Sequence, residues 1–173
     1  MKKENVLVIV LIGLVVAGIF FYNRSKAPEP VIAAATFPKS DPLEIKEAGI
    51  AWKDYTPGMA IAGKGDKPVF LYFHAPWCTY CTKLKQTTFK DKQVLAYLEK
   101  NFISIQVDTD QNQALGREWK VKGLPTMWFL EPDGKKISSI PGYLDAPQLL
   151  LILKYIQTKS YTRMEFQEFM KQG

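Results

Sequence analysis

Hydrophobic positions along the chain fall into short β-type runs separated by helical stripes. Residues 69–73 (VFLYF) are five consecutive apolar, β-prone residues and predict a buried central strand, which His74, Ala75 and Pro76 leave. Cys81, Leu84 and the pair Thr88-Phe89 recur at helical spacing, so a helix follows Cys78. Asp91 caps a second helical segment in which Val94, Leu95 and Leu98 share a face. Ile103, Ile105 and Val107 alternate as a strand ending at Asp108, and Asp108-Thr109-Asp110 reads as a turn and cap. Ala114, Leu115 and Trp119 mark the next helix. Residues 126–130 predict a strand, residues 131–134 (EPDG) a turn, and residues 135–140 a second strand, with Gly142 beyond it. Asp145 caps a helix to Ile156 with Pro147 in its first turn, and its apolar residues nearly encircle it, which predicts heavy burial. Upstream, residues 50–55 predict a short strand, and Thr56-Pro57 an N-cap and N1 pair for a helix through Ala62. The predicted order is β-α-β-α-β-α-β-β-α: an α/β domain over residues 43–158, a central mixed β-sheet flanked by helices.

Both ends of the chain depart from this pattern. The run from Val6 to Tyr22 holds seventeen residues without a charge, enough to cross a bilayer core at the short end of the usual range. It reads as an uncleaved signal anchor over residues 1–23, contacting the membrane through Val6–Tyr22. The alternative is a signal peptide cut after Ala33-Ala34-Ala35, leaving a secreted or periplasmic protein that starts at Thr36. Residues 24–42 contain Pro28, Pro30, Pro38 and Pro42 and predict an extended linker. The short N-terminus places the α/β domain outside, in the periplasm or its equivalent. Residues 159–173 form an extension. Thr162 and Glu165 suggest a capping box, and Phe166, Phe169 and Met170 share a face. The extension reads as a helix packed on its own domain, with a partner-docking helix as the alternative.

Composition changes this picture little. At 173 residues and 47% hydrophobic content, one domain with a real core and an appendage is expected. Half of the formal charge of +6 comes from Lys2, Lys3, Arg24 and Lys26 against Glu4. The remainder is too weak and scattered to argue for nucleic acid.

The cysteines carry the chemistry. The chain has two, Cys78 and Cys81, and a single histidine, His74. A helix starting at Cys78 puts Cys78 at its N-terminus and Cys81 one turn on, on the same side. The positive end of the helix dipole favours a thiolate, the nucleophile of disulfide exchange. Cys78 is then the expected exposed attacker and Cys81 the partly buried resolver, which releases product from a mixed disulfide. A closed zinc site needs four ligands, so Cys78, Cys81 and His74 do not make one, and no metal is expected. A redox-inactive copper carrier using those three residues is the alternative of another class. His74 itself reads as a packed residue beside the site.

Residues 77–81 (WCTYC) resemble the active site of the thioredoxin superfamily, commonly a W-C-x-x-C opening a helix after a central strand. Gly123-Leu124-Pro125-Thr126, directly before a strand, matches a second feature of that family. The resemblance implies a thioredoxin fold with Leu124-Pro125 cis, packed against the CxxC and pairing its backbone with the substrate chain. It covers residues 45–156. Lys67-Pro68-Val69, Thr88-Phe89-Lys90-Asp91, Val94, Val107-Asp108, Gly134 and Gly142 are most similar to the C-terminal thioredoxin-like domain of DsbD-type reductases and to SoxW-like and DsbC-like thioredoxins.

Two positions depart from the family. Many thioredoxins carry a buried acid six residues before the first Cys, where Tyr72 stands. DsbD-type domains carry an acid seven residues after it, where Lys85 stands. Tyr72, a water or a more distant group must then assist Cys81. Thr79 and Tyr80 between the cysteines, with Tyr72, His74 and Lys85, are candidates for tuning the site; Trp77, Leu124 and Pro125 are candidates for supporting it and binding substrate. The expectation is a membrane-tethered thiol-disulfide oxidoreductase with no cofactor beyond its own disulfide. Its partners would be protein thiols or disulfides and an upstream redox donor or acceptor protein. A reductase of exported proteins is the first reading, and an oxidase or isomerase the second.

Overall fold

The computed structural model describes residues 49–171 together with Leu14, Ala17, Ile19 and Tyr22. The chain divides into two units, Met1–Glu44 and Ile45–Gly173. In the first, the four described residues are helical; the rest of the predicted anchor and the proline-rich linker lie outside the described residues. Among the described residues no helix is long and apolar enough to cross a membrane.

The second unit is built on a four-stranded sheet in the spatial order β2-β1-β3-β4. Its strands are β1 (Val69–His74), β2 (Ile103–Asp108), β3 (Thr126–Leu130) and β4 (Lys136–Pro141). β1 runs parallel to β2 and antiparallel to β3, and β3 runs antiparallel to β4. All six residues of β1 are buried, because an uninterrupted apolar run is stable only when both faces are covered. Strand alternation then sorts its side chains. Phe70 and Tyr72 join Cys78, Cys81, Leu84, Val94, Leu98, Leu149 and Leu153 on one face. Val69, Leu71 and Phe73 join Ala62, Ile105, Val107, Trp119 and Leu130 on the other. The first face is covered by α2 (Thr79–Gln86), α3 (Lys92–Asn101) and α5 (Ala146–Gln157), the second by α1 (Tyr55–Ala62) and the region of α4 (Gln113–Glu118).

Local chemistry sets several boundaries. The Asp91 carboxylate accepts from the Gln93 and Val94 amides and starts α3. Asp145 and Gln148 form a reciprocal capping box at α5, with Pro147 in the first turn. Gly134 and Gly142 hold the positive φ angles on which the β3–β4 hairpin and its exit depend.

Five expectations need correction. Residues 50–55 form no strand. Lys53 makes a single parallel bridge to Ile105, and the segment is anchored instead by Trp52, whose ring lies 5.5 to 5.9 Å from those of Phe70, Tyr72 and Phe89. The helix after it begins at Tyr55 with Asp54 at the N-cap, not at Thr56. His74 remains in β1, paired with Asp108. The site helix stops at Gln86, because Thr87 turns its hydroxyl back onto the Lys83 carbonyl, and Thr88–Lys90 continues as a 3-10 turn. In the extension, Thr162 caps nothing. Its hydroxyl bonds the Lys159 carbonyl, and α6 (Phe166–Met170) has Glu165 at its N-cap. Phe166 and Phe169 pack on Tyr155 of α5 at 5.2 and 5.3 Å, while Met170 stays exposed.

Candidate active site

Cys78 is the N-cap of α2. Its sulfur accepts a hydrogen bond from the Cys81 amide at 3.1 Å, so one of the first free N–H groups of the helix points at sulfur. Cys78 and Cys81 are joined as a disulfide with Cα atoms 5.2 Å apart. No acidic residue stands in the first turn to oppose the helix dipole, while Lys83 and Lys85 lie in the last.

Cys78 is not the exposed residue the sequence suggested. Its relative exposure is 4%, and that of Cys81 is 1%. Both cysteines belong to the core cluster against which Leu124 packs. The exposed groups are their neighbours. Trp77 is 69% exposed and Tyr80 59%, and Thr79 is also at the surface. Sequence reasoning missed what fixes Trp77. Its indole N–H donates to Asp110 Oδ1 at 3.2 Å, and the Asp110 amide donates to Asp108 Oδ1. The Asp-rich turn after β2 therefore orients the tryptophan; the only sequence signal for it was the pair of aspartates itself.

Leu124-Pro125 is a cis peptide, and Pro125 is buried. The Gly142 amide donates to the Pro125 carbonyl at 2.8 Å, and the Thr126 hydroxyl to the Gly123 carbonyl. The Leu124 N–H and C=O are left without partners among the described residues.

Tyr72 and His74 lie beneath the disulfide face, their rings stacked at 5.2 Å. Tyr72 is fully buried, and its hydroxyl has no protein partner, nor does His74 Nδ1. Burial pushes the Tyr72 phenol above its ordinary value, so it stays protonated at neutral pH. It cannot take a proton from Cys81, but it can donate a hydrogen bond. His74 is held below its ordinary value, first by burial and then by the Lys85 cation, with Asp108 opposing. Lys85 itself is exposed. Among the described residues no group of three or more His, Cys, Asp or Glu could hold a metal ion.

Residues 57–157 match the family model for a thioredoxin-like domain, more than half of the chain. The chain belongs to the thioredoxin-like domain family. Its domain carries Cys78 and Cys81 at the head of α2, joined as a disulfide. Among curated relatives it is 37% identical over 98 residues to the thiol:disulfide interchange protein DsbD of Vibrio vulnificus, a match covering 53% of this chain and 16% of that protein. It is 31% identical over 115 residues to the chloroplastic thioredoxin-like protein CITRX2 of Nicotiana benthamiana, covering 66% of this chain and 59% of that one. The chain thus spans less than two thirds of the length of either relative. Among solved structures, a thioredoxin from Thermus thermophilus superposes with a TM-score of 0.59 at 28% identity, covering 64% of this chain and 89% of that one. The DsbH oxidoreductase shares the fold at a TM-score of 0.53 and 20% identity, covering 70% and 90%.

Proposed function

We propose that this protein is a membrane-tethered, extracytoplasmic reductase that passes electrons through Cys78 and Cys81 to disulfides of exported proteins. The observation that carries it is the Cys78–Cys81 disulfide at the N-cap of α2, with a Leu124 backbone whose polar groups have no partner among the described residues packed against the same cluster. In the dithiol form, the Cys78 thiolate attacks one sulfur of a substrate disulfide. The S–S bond breaks, a Cys78–substrate bond forms, and the other substrate sulfur leaves as a thiolate that picks up a proton. Cys81, losing its proton to solvent, attacks Cys78, expels the second substrate thiolate and closes the disulfide, so the substrate gains two electrons. An upstream redox donor protein restores the dithiol. Leu124 N–H and C=O hold the substrate chain extended beside Cys78. Trp77 and Pro125 frame that position, and the Tyr72 hydroxyl donates to the developing Cys81 thiolate. His74, Lys85, Thr79 and Tyr80 tune the pair. The tether is the uncharged run from Val6 to Tyr22, and the linker of residues 24–42 spaces the domain from the bilayer.

Cysteine variants and the reduction potential test the chemistry. Cys78→Ser should abolish insulin-disulfide reduction, and Cys81→Ser should trap mixed disulfides through Cys78. Traps through Cys81 in the Cys78→Ser protein would reverse the roles. A potential near about −270 mV supports the reductase; one near about −120 mV overturns it in favour of an oxidant. For the tether, the protein should stay in the membrane fraction after a carbonate wash, and a soluble form beginning at Thr36 would remove it.

A further inference from the structure

We propose that the groove beside the disulfide docks an acidic, extended segment of the protein substrate, one that carries Asp or Glu side chains next to its reactive cysteine. This rests on the oxidoreductase reading and names the substrate class of the same site. The groove has a volume of about 500 Å³. Trp77 and Leu124 form its end nearest the disulfide, Val121 lies half-buried within it, and Arg117, Lys120 and Lys122 stand exposed along it. Among the described residues no carboxylate lines it. Asp110 lies outside the lining, and its Oδ1 is engaged by the Trp77 indole. Glu118 follows Arg117 in sequence but also lies outside the lining. The side chains of the three cations make no hydrogen bond or ion pair with other described residues.

The backbone brings these cations together. α4 ends at Glu118, and Lys120 adopts a left-handed conformation with φ of 52°. The Lys120 amide bonds the Arg117 carbonyl and the Val121 amide the Gly116 carbonyl, which closes the turn. Glycine or asparagine adopts that conformation at less cost, yet a lysine occupies it. The reversal brings residues from both sides of the turn into one lining, which continues through Gly123 to Leu124. A substrate chain paired with the free Leu124 backbone would extend into it, laying side chains against three unpaired cations and the face of Trp77. A polypeptide is the fitting polyanion, because it also brings a sulfur to Cys78.

The test uses the full chain in its oxidised form and short cysteine-free peptides of one apolar core, flanked by Asp and Glu, by Ser, or by Lys. Binding is followed by the amide resonances of Gly116 and Gly123. At low salt the acidic peptide should bind roughly tenfold tighter than the Ser-flanked one, from three exposed charge pairs of ordinary strength. The preference should shrink as salt shortens the screening length. The triple variant Arg117→Gln, Lys120→Asn, Lys122→Gln should bring the ratio close to one. The salt series needs no variant, so misfolding of the triple variant leaves a decisive measurement. Equal affinity for the three peptides, or a preference that survives high salt, overturns the proposal. The same peptides carrying a disulfide, mixed with the full chain converted beforehand to its Cys78–Cys81 dithiol form, separate the two claims. If the acidic one binds but none is reduced, docking stands and the reductase reading falls. If all are reduced at equal rates without differential binding, the reductase stands and the docking site is gone.

Discussion

Replacing Tyr72 by Phe should stabilise the oxidised protein. The ring is fully buried between Trp52, Phe89 and His74, at centroid distances of 5.5, 5.1 and 5.2 Å. These contacts survive the substitution. What is lost is one hydroxyl that gave up its hydration and found no protein partner. Leaving such a group buried costs about 1–3 kcal/mol. Removing the oxygen opens a space of roughly 10 Å³, which at about 24 cal/mol per Å³ gives back only about 0.2 kcal/mol. The net gain is about 1 kcal/mol or more, a rise in Tm of roughly 4 °C for a domain of this size. Urea unfolding of the oxidised protein measures it, with an unchanged m-value as the sign that only native stability moved. On the proposed mechanism, in which the hydroxyl donates to the Cys81 thiolate, the gain in the dithiol form should be smaller. A Tyr72→Phe protein less stable than wild type in the oxidised state would refute the reasoning, since the hydroxyl would then have a partner worth more than its burial.

Other perturbations follow from the same structure. Burial, then Lys85, lowers the His74 pKa in the fold, while the unfolded group titrates near its ordinary value of about 6.5. As pH falls through that value the unfolded chain binds more protons, so stability should drop on the acid side, and urea midpoints at two pH values should fall less in His74→Gln. An alanine at Gly58 would set its Cβ 2.6 Å from Ile105 Cγ1 and 2.7 Å from Cδ1, so Gly58→Ala should cost about 1–3 kcal/mol in thermal unfolding. Asp145→Ala breaks the capping box of α5 and should cost about 0.5–2 kcal/mol by the same measurement.

The strands and helices that stood out in the sequence did so because local and tertiary demands agreed. A five-residue apolar run can only be central, and Asp145 with Pro147 can only open a helix. The segment from Ile50 to Tyr55 misled because Trp52 is apolar for packing, not for pairing. Within the site, the positions of Cys78 and Cys81 were legible from spacing alone. The burial of Cys78 was not, since it depends on a core drawn from distant elements. The Trp77–Asp110 bond joins residues 33 apart, which no local pattern encodes. Arg117, Lys120 and Lys122 looked like scattered surface charge until the left-handed turn and Trp77 gathered them into one lining.

The order β2-β1-β3-β4 leaves two open sheet edges, and each is defended against recruiting a foreign strand. On β2 the edge is blocked at mid-length, where Lys53 donates to the Ser104 carbonyl and accepts from the Gln106 amide. On β4 the strand enters through Lys135 and Lys136 and leaves through Pro141, which has no N–H to offer. The register between β3 and β4 also shifts at Phe129 and Leu130, which twists that end of the ribbon away from a flat partner. On the reading proposed above, in which Leu124 takes up an extended chain, the same sheet is built to refuse one at its outer edges, and its resistance to aggregation should depend on the Lys53 bridge and Pro141 more than on the disulfide.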